Sequence, residues 1–200
     1  PPPPTINAAA AGAICRKFRR TAICAGAVKA WSMAERHLRL GYGLAVLLFL
    51  ADQALKAVMI GPLALQAVQQ IYLLPILNLT WVENYGVALG MFRAGHDAER
   101  WILVGVTSVI AAVVGVWITR EKNRMDVMGL GLVLGGALGN IVDRVRFGYV
   151  VDFIDFHIGG FRPFLVFNLA DAAITIGVLV LLARAFFTRD AKAETETDNA

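Results

Sequence analysis

Four long runs of apolar residues divide the chain. The cleanest run, residues 101–119, contains no charged residue. At about 1.5 Å per helical residue it comes close to crossing a hydrocarbon core roughly 30 Å thick. Two further runs, 42–60 and 164–183, are each interrupted by a few polar residues, and the fourth, 127–142, is shorter and rich in glycine. The pattern predicts an all-α membrane protein with four transmembrane helices and with both ends of the chain on the same side.

The segment between the first two runs has a different pattern. Residues 71–92 mix β-branched and aromatic residues with Pro75, Asn78 and Gly86. Polar groups interrupt this segment too often for it to span a bilayer. We expect it to form a small extracytoplasmic β-like or amphipathic segment that lies at the membrane interface.

Composition and charge agree with a membrane protein and indicate its orientation. The chain is 58% hydrophobic and only 17% charged, and its mean hydropathy is +0.62, which is too apolar for an ordinary soluble domain. Most of its 19 lysines and arginines lie before the first run, between the second and third runs, or after the fourth run. Because positively charged loops stay in the cytoplasm, both termini are predicted to be cytoplasmic. The net charge of +4 then fits anionic membrane lipids as partners, with no nucleic acid.

The ends of the chain are predicted to lie outside the folded domain. Residues 1–40 are interpreted as a disordered or basic cytoplasmic leader, residues 41–187 as the four-span domain and residues 188–200 as a polar cytoplasmic tail. Cys15 and Cys24 have no CxxC spacing, and disulfides are disfavoured in the cytoplasm, so neither cysteine is assigned a role. We expect the protein to be a monomer.

Polar residues within the apolar runs carry the functional information. A charge in hydrocarbon costs on the order of 2.5 to 3.5 kcal/mol even on the gentler insertion scales, so each one needs a partner or a function. Asn140, Asp143 and Arg144 share one face of the third predicted helix, and Asn168 and Asp171 share one face of the fourth. Counted along the helices, Asp143 and Asp171 both lie near the outer boundary of the membrane.

Two further sets of polar residues bear on the predicted function. Asp52 and Lys56 are spaced i, i+4 with the acid first, which favours an ion pair on the first helix. His96 and His157 lie alone in outward connections, without a metal-ligand spacing. The sequence therefore predicts no metal and no organic cofactor.

The remaining acids suggest a chemistry. "VVDFIDF", Val150–Phe156, places Asp152 and Asp155 in the second outward connection, close to the depth predicted for Asp143 and Asp171. Two carboxylates a few ångströms apart in a medium of low dielectric share one proton, so that one acts as an acid and the other as a base. Such a pair suits peptide hydrolysis by water. It suits equally a small proton-coupled membrane transporter or relay.

Five short motifs resemble the ordered blocks of the lipoprotein signal peptidases, or signal peptidase II. They are "DQALK", "NYGVALG", "GGALGNIVDR", "VVDFIDF" and "FNLADAAITIG", which begin at residues 52, 84, 135, 150 and 167. Each block alone is weak, but their order and spacing together are highly specific. The resemblance implies an aspartyl endopeptidase of the bacterial inner membrane that removes signal peptides from diacylglyceryl-modified prolipoproteins, cutting just before the lipidated cysteine. Its active site would lie near the outer leaflet.

The same resemblance assigns roles to residues. The catalytic pair falls on Asp152 and Asp171, which leaves Asp155 as a bystander expected to be solvated at the outer surface. Substrate-binding or supporting roles fall on seven further residues, namely Asn84, Asn140, Asp143, Arg144, Asn168, Asp52 and Lys56. Of these, Arg144 is expected to offset the negative charge of the acids.

Overall fold

Four long helices and one small sheet make up the protein. The computed structural model describes the backbone of residues 22–86 and 96–197. The elements in chain order are α1 (Ala22–Ile60), α2 (Leu65–Val68), β1 (Gln70–Leu74), β2 (Leu77–Asn84), α3 (His96–Arg120), α4 (Arg124–Phe147), β3 (Val150–Phe156) and α5 (Leu169–Thr197). The predicted fold class, an all-α membrane protein with a small β segment after the first span, is confirmed.

Three of the four candidate membrane spans are longer than the apolar runs that predicted them, and the fourth begins and ends later than its run. By length and composition they cover Arg36–Ile60, Asp97–Arg120, Arg124–Phe147 and Leu169–Phe187. Helix α1 begins at Ala22, within the part of the chain assigned above to a leader. The predicted start of the fourth span at Phe164 is wrong, because Phe167 forms a β-bridge with Ile154 and the helix begins only at Leu169.

Helix α4 is the centre of the bundle. It packs against α1, α3 and α5, and half of its most apolar stretch is buried inside the protein. Its glycines allow this close packing: a Cβ on Gly135 would lie 2.6 Å from the carbonyl oxygen of Ala45, and one on Gly136 would lie 2.5 Å from that of Ala170. The helix starts at an Asn123 cap, whose side chain accepts from the Met125 amide. It ends at Gly148, where φ is +90° and glycine is favoured.

The three strands form an antiparallel sheet in the order β1-β2-β3. The hairpin of β1 and β2 falls within the predicted interfacial segment, while residues 87–92 of that segment lie outside the described residues. Strand β3, which contains both Asp152 and Asp155, joins the sheet through β2. The sheet lies at the end of the bundle where α1 and α4 finish and α5 begins, and a small core that includes Leu65, Trp81 and Val151 packs beneath it.

Candidate active site

Asp152 is a buried carboxylate on β3. It pairs with Val82 across the sheet and is 1% exposed. Asn84, at the end of β2, donates from Nδ2 to Asp152 Oδ2 at 2.9 Å, and Asn168 donates from Nδ2 to Asp152 Oδ1 at 2.6 Å. The amide of Gly86 donates to Asn84 Oδ1 at 2.8 Å, which turns the NH2 group of Asn84 toward the acid. Both oxygens of Asp152 thus accept a hydrogen bond from an asparagine.

Asp171 lies in the first turn of α5, where the local sequence forms a capping box. The Asp171 amide donates to Asn168 Oδ1 at 2.9 Å, and the Asn168 amide donates to Asp171 Oδ2 at 3.3 Å. Asn140 of α4 donates from Nδ2 to Asp171 Oδ1 at 2.8 Å. The cap that starts the helix therefore also orients the carboxylate.

Asn168 and Asn140 connect the two acids. Asn168 binds Asp152 through its side-chain amide and Asp171 through its backbone amide, and its Nδ2 lies 3.3 Å from Asn140 Oδ1. The structure therefore brings Asp152 and Asp171 together from β3 and α5, with asparagines from three separate elements around them.

The electrostatic surroundings favour a proton on Asp152. Burial away from water, and then the nearby charge of Asp171, raise the pKa of Asp152 to about 7. The hydrogen bonds from Asn84 and Asn168 and the positive charge of Lys56 oppose this rise. Near neutral pH the site can therefore hold both a proton and a negative charge.

Arg144 supplies a positive charge beside the two acids. Its guanidinium interacts electrostatically with Asp171, Asp152 and Asp143. It donates from Nη1 to the carbonyl oxygen of Asn140 at 3.3 Å, and within the described part of the chain its buried Nε has no hydrogen-bond partner. Arg144 therefore lies beside the acids, and its role of offsetting their negative charge stays a prediction.

Asp52, Lys56 and Asp143 form a separate buried cluster next to the pair. Lys56 Nζ lies 2.8 Å from Asp52 Oδ2 and 2.7 Å from Asp143 Oδ2, and none of the three residues is more than 2% exposed. The ion pair predicted from helical spacing is present. Sequence reasoning missed Gln53, which donates to Asp143 Oδ1 at 3.0 Å; its only signal was a polar residue beside Asp52 in an apolar run.

Asp155 is not solvated as expected. It is 1% exposed, accepts from Thr80 Oγ1 at 3.0 Å, and lies 3.2 Å from the guanidinium of Arg162. Residues three apart in a strand point to opposite faces of the sheet. Asp155 therefore points away from Asp152, and the loop that carries Arg162 covers it.

Two grooves open on the pair of acids. One has a volume of about 340 Å³ and is lined by Asp171 and by apolar side chains that include Phe164 and Ile176. The other, of about 550 Å³, contains Asp152 and Asn84. Leu165 lines both grooves and is 91% exposed. Among the side chains that the structure describes, those of residues 36–86 and 97–187, no group of three or more His, Cys, Asp or Glu residues is placed to hold a metal ion.

The fold and the site together indicate a multi-pass membrane protein with two paired carboxylates, each of which lines one of the two grooves. A family model described as signal peptidase (SPase) II matches residues 44–187. The chain is 56% identical over 154 residues to a lipoprotein signal peptidase of Sphingopyxis alaskensis, covering 77% of this chain and 89% of the relative. It is 54% identical over 164 residues to one of Rhizorhabdus wittichii, covering 82% and 95%.

Solved structures agree with these matches. A bacterial membrane enzyme solved by the in meso method at 2.3 Å resolution superposes with a TM-score of 0.63 at 28% identity, covering 76% of this chain and 90% of that one. With the family model and these relatives, the chain belongs to the signal peptidase II family, a family of peptidases. Of the two functions that the residues alone left open, peptide hydrolysis is the one that applies.

Proposed function

We propose that this protein is an aspartyl endopeptidase that removes the signal peptide from prolipoproteins whose cysteine carries a diacylglyceryl group, and that it cuts just before that cysteine. The observation that supports the proposal is the pairing of Asp152 with Asp171 through Asn168 and Asn140. Family membership supports prolipoproteins as the substrate class.

The arrangement of charges favours a definite division of labour. With the shared proton on Asp152, the carboxylate of Asp171 is the base. It takes a proton from a water molecule as the water oxygen bonds to the scissile carbonyl carbon, and Asp152 gives its proton to the carbonyl oxygen. This produces a neutral tetrahedral gem-diol without a covalent bond to the enzyme.

Collapse of the gem-diol completes the reaction. The carbon–nitrogen bond breaks as Asp171 returns its proton to the leaving amine, and one gem-diol hydroxyl returns a proton to Asp152 as the carboxyl product forms. The site ends in the protonation state in which it began. The positive charge of Arg144 stabilises the single negative charge of the pair at every step.

The two grooves suit the two parts of such a substrate. The groove beside α5 is lined almost wholly by apolar side chains, including Phe164, Leu165 and Ile176, and suits the apolar signal helix arriving from the bilayer. The groove that contains Asp152 includes the polar side chains of Glu83 and Asn84 and suits the peptide near the scissile bond. Leu165, between the grooves, would contact the substrate on both sides of the cut.

We also propose the wider setting of the enzyme. Residues 41–187 form the peptidase domain, flanked by a cytoplasmic leader (1–40) and tail (188–200). The protein is a monomer in the bacterial inner membrane with both termini in the cytoplasm, because its lysines and arginines are concentrated on that side. This orientation puts the two aspartates near the outer leaflet, where water can reach a bond delivered from within the membrane.

A pair of matched substrates tests the specificity. The purified enzyme is incubated in detergent with one prolipoprotein in two forms, with and without the diacylglyceryl group on the cysteine, and the products are identified by mass spectrometry. We expect cleavage of the lipidated form alone, with the new amino terminus on the modified cysteine. Equal cleavage of the unlipidated form, or a cut at another bond, would contradict the proposal.

A further inference from the structure

The buried cluster of Lys56, Asp52 and Asp143 makes contacts that the proposed reaction does not use. Lys56 bridges the two acids, and Gln53 donates to Asp52 Oδ2 at 3.3 Å as well as to Asp143. The cluster joins α1 to α4 in the outward half of the bundle. Because taking charges out of water is costly, and well-packed apolar residues often stabilise as well or better, a need for stability alone does not explain it.

Each acid of the cluster also accepts a hydrogen bond from the backbone. Asp52 Oδ1 accepts from the amide of Ala170 at 3.1 Å, and Asp143 Oδ2 accepts from the amide of Val151 at 3.2 Å. Ala170 directly precedes Asp171, and Val151 directly precedes Asp152. The two amides therefore belong to the residues immediately before the two proposed catalytic acids.

These contacts form a second connection between the acids. One connection is direct and runs through the side chains of Asn168 and Asn140. The other passes behind the site, from the Val151 amide through Asp143, Lys56 and Asp52 to the Ala170 amide. Backbone hydrogen bonds between Ile154 and Phe167 already join β3 to the residues before α5. The connection through the cluster adds a contact to the amide immediately before each acid, so it further restrains the backbone of one acid relative to that of the other.

We propose that Asp52, Lys56 and Asp143 are positioning residues that set the separation and orientation of Asp152 and Asp171 by holding the backbone amides of Val151 and Ala170. This inference rests on the proposed function, since it needs Asp152 and Asp171 to be the reacting pair.

The packing of α4 supports the proposal. A Cβ on Gly139 would lie 2.6 Å from Asp52 Oδ2, so only glycine lets the Asp52 carboxylate pass α4 and reach the start of α5. The hydrogen bond to Ala170 therefore depends on a close approach of three helices. A displacement of reacting groups by about 1 Å can lower a rate on the order of 100-fold, so a small relaxation of this connection is expected to be visible in kcat.

The test separates positioning from folding. Lys56→Met alone leaves two buried carboxylates without their cation and is expected to reduce the yield of folded protein. The informative variant is the triple substitution Asp52→Asn, Lys56→Met and Asp143→Asn, which removes every charge of the cluster and keeps an amide oxygen at both acceptor positions. Values of kcat and KM are measured per folded molecule in mixed micelles with a lipidated prolipoprotein.

We expect the triple variant to fold, and to show a kcat about 100-fold below that of the wild type with KM changed less than about threefold. The matched control is Asp126→Asn with Arg184→Gln. It removes another ion pair between α4 and α5, with both nitrogen–oxygen distances at 3.2 Å, at the opposite end of the bundle. This control is expected to lower the thermal midpoint without changing kcat.

Asp152→Asn is measured in the same series. Wild-type kcat in the folded triple variant, with Asp152→Asn inactive, would overturn the positioning role alone. A kcat loss of the same size in the control variant would also overturn it, since any lost ion pair would then have the same effect. Turnover by Asp152→Asn would overturn the proposed pair and the positioning role with it.

Discussion

The raised pKa of Asp152 predicts that the wild-type residue destabilises the folded protein above neutral pH. Its pKa rises from 3.8 to about 7 on folding. Below pH 3.8 the carboxyl is neutral in both the folded and the unfolded chain, and its burial costs no ionisation energy. Stability is then lost as the pH rises toward 7, because the unfolded chain ionises first. At about 1.36 kcal/mol per pKa unit, the full loss at pH 8 is on the order of 4 kcal/mol.

Asp152→Asn removes this cost at the expense of a hydrogen bond. Asn84 and Asn168 both donate to the carboxylate, and an asparagine can accept from only one of them through its single oxygen. The unsatisfied donor costs about 1 to 3 kcal/mol. The variant should therefore be more stable than the wild type at pH 8 by roughly 1 to 3 kcal/mol, and less stable at pH 4, with the two curves crossing at about pH 4.5 to 6.

The assay is thermal unfolding in one detergent, followed by intrinsic fluorescence between pH 4 and pH 8.5, for the wild type and Asp152→Asn. The control is Asp97→Asn, because the Asp97 side chain is 92% exposed and its substitution should leave the pH profile of the wild type unchanged. If Asp152→Asn is less stable than the wild type at every pH, burial does not raise the pKa of Asp152 as described. A stability difference between the two proteins that does not change with pH leads to the same conclusion.

Other substitutions test single contacts. Asn84→Ala removes a hydrogen bond that lowers the pKa of Asp152, so the alkaline limb of the pH profile of kcat/KM, which reports the free enzyme, should move up by about one unit; an unmoved or lowered limb would count against it. Gly139→Ala should lower the thermal midpoint, at a cost of about 1 to 3 kcal/mol, whereas Gly160→Ala, where a Cβ meets nothing within 4 Å, should not. Arg162→Gln removes the ion pair with Asp155 and should cost only about 1 kcal/mol, because the guanidinium is 58% exposed and Asp155 keeps its hydrogen bond from Thr80. The kcat per folded molecule should not change; a lower kcat would show that the loop carrying Arg162 contributes to the reaction.

The spans could be predicted because length and apolarity alone determine whether a helix can cross a bilayer. Their boundaries depend on local contacts that hydropathy does not record. Phe164 belongs to an apolar run, yet the chain remains extended through Phe167, which pairs with Ile154, until Asn168 caps the helix. A reading for N-cap residues would have placed the start correctly, because Asn168 and Asp171 have the spacing of a capping box.

The site was only partly accessible to sequence reasoning. Helical spacing placed Asn168 and Asp171 on one face, but it could not show that Asn168 also binds Asp152, since that contact depends on how β3 packs against α5. The third strand was missed, although Val150–Phe156 is a short β-branched and aromatic run of the kind that forms a buried strand. With that strand recognised, the burial of Asp155 on the opposite face would have followed.

The assignment of Asp152 and Asp171 as the reacting pair is tested by a cleavage assay with three variants. A diacylglyceryl-modified prolipoprotein is incubated in detergent with the wild type, Asp152→Asn, Asp171→Asn and the exposed-site control Asp97→Asn, and the release of the signal peptide is followed as a mobility shift. We predict that Asp152→Asn and Asp171→Asn fold but show no turnover, and that the control Asp97→Asn turns over like the wild type. Appreciable turnover by folded Asp152→Asn or Asp171→Asn would contradict the assignment.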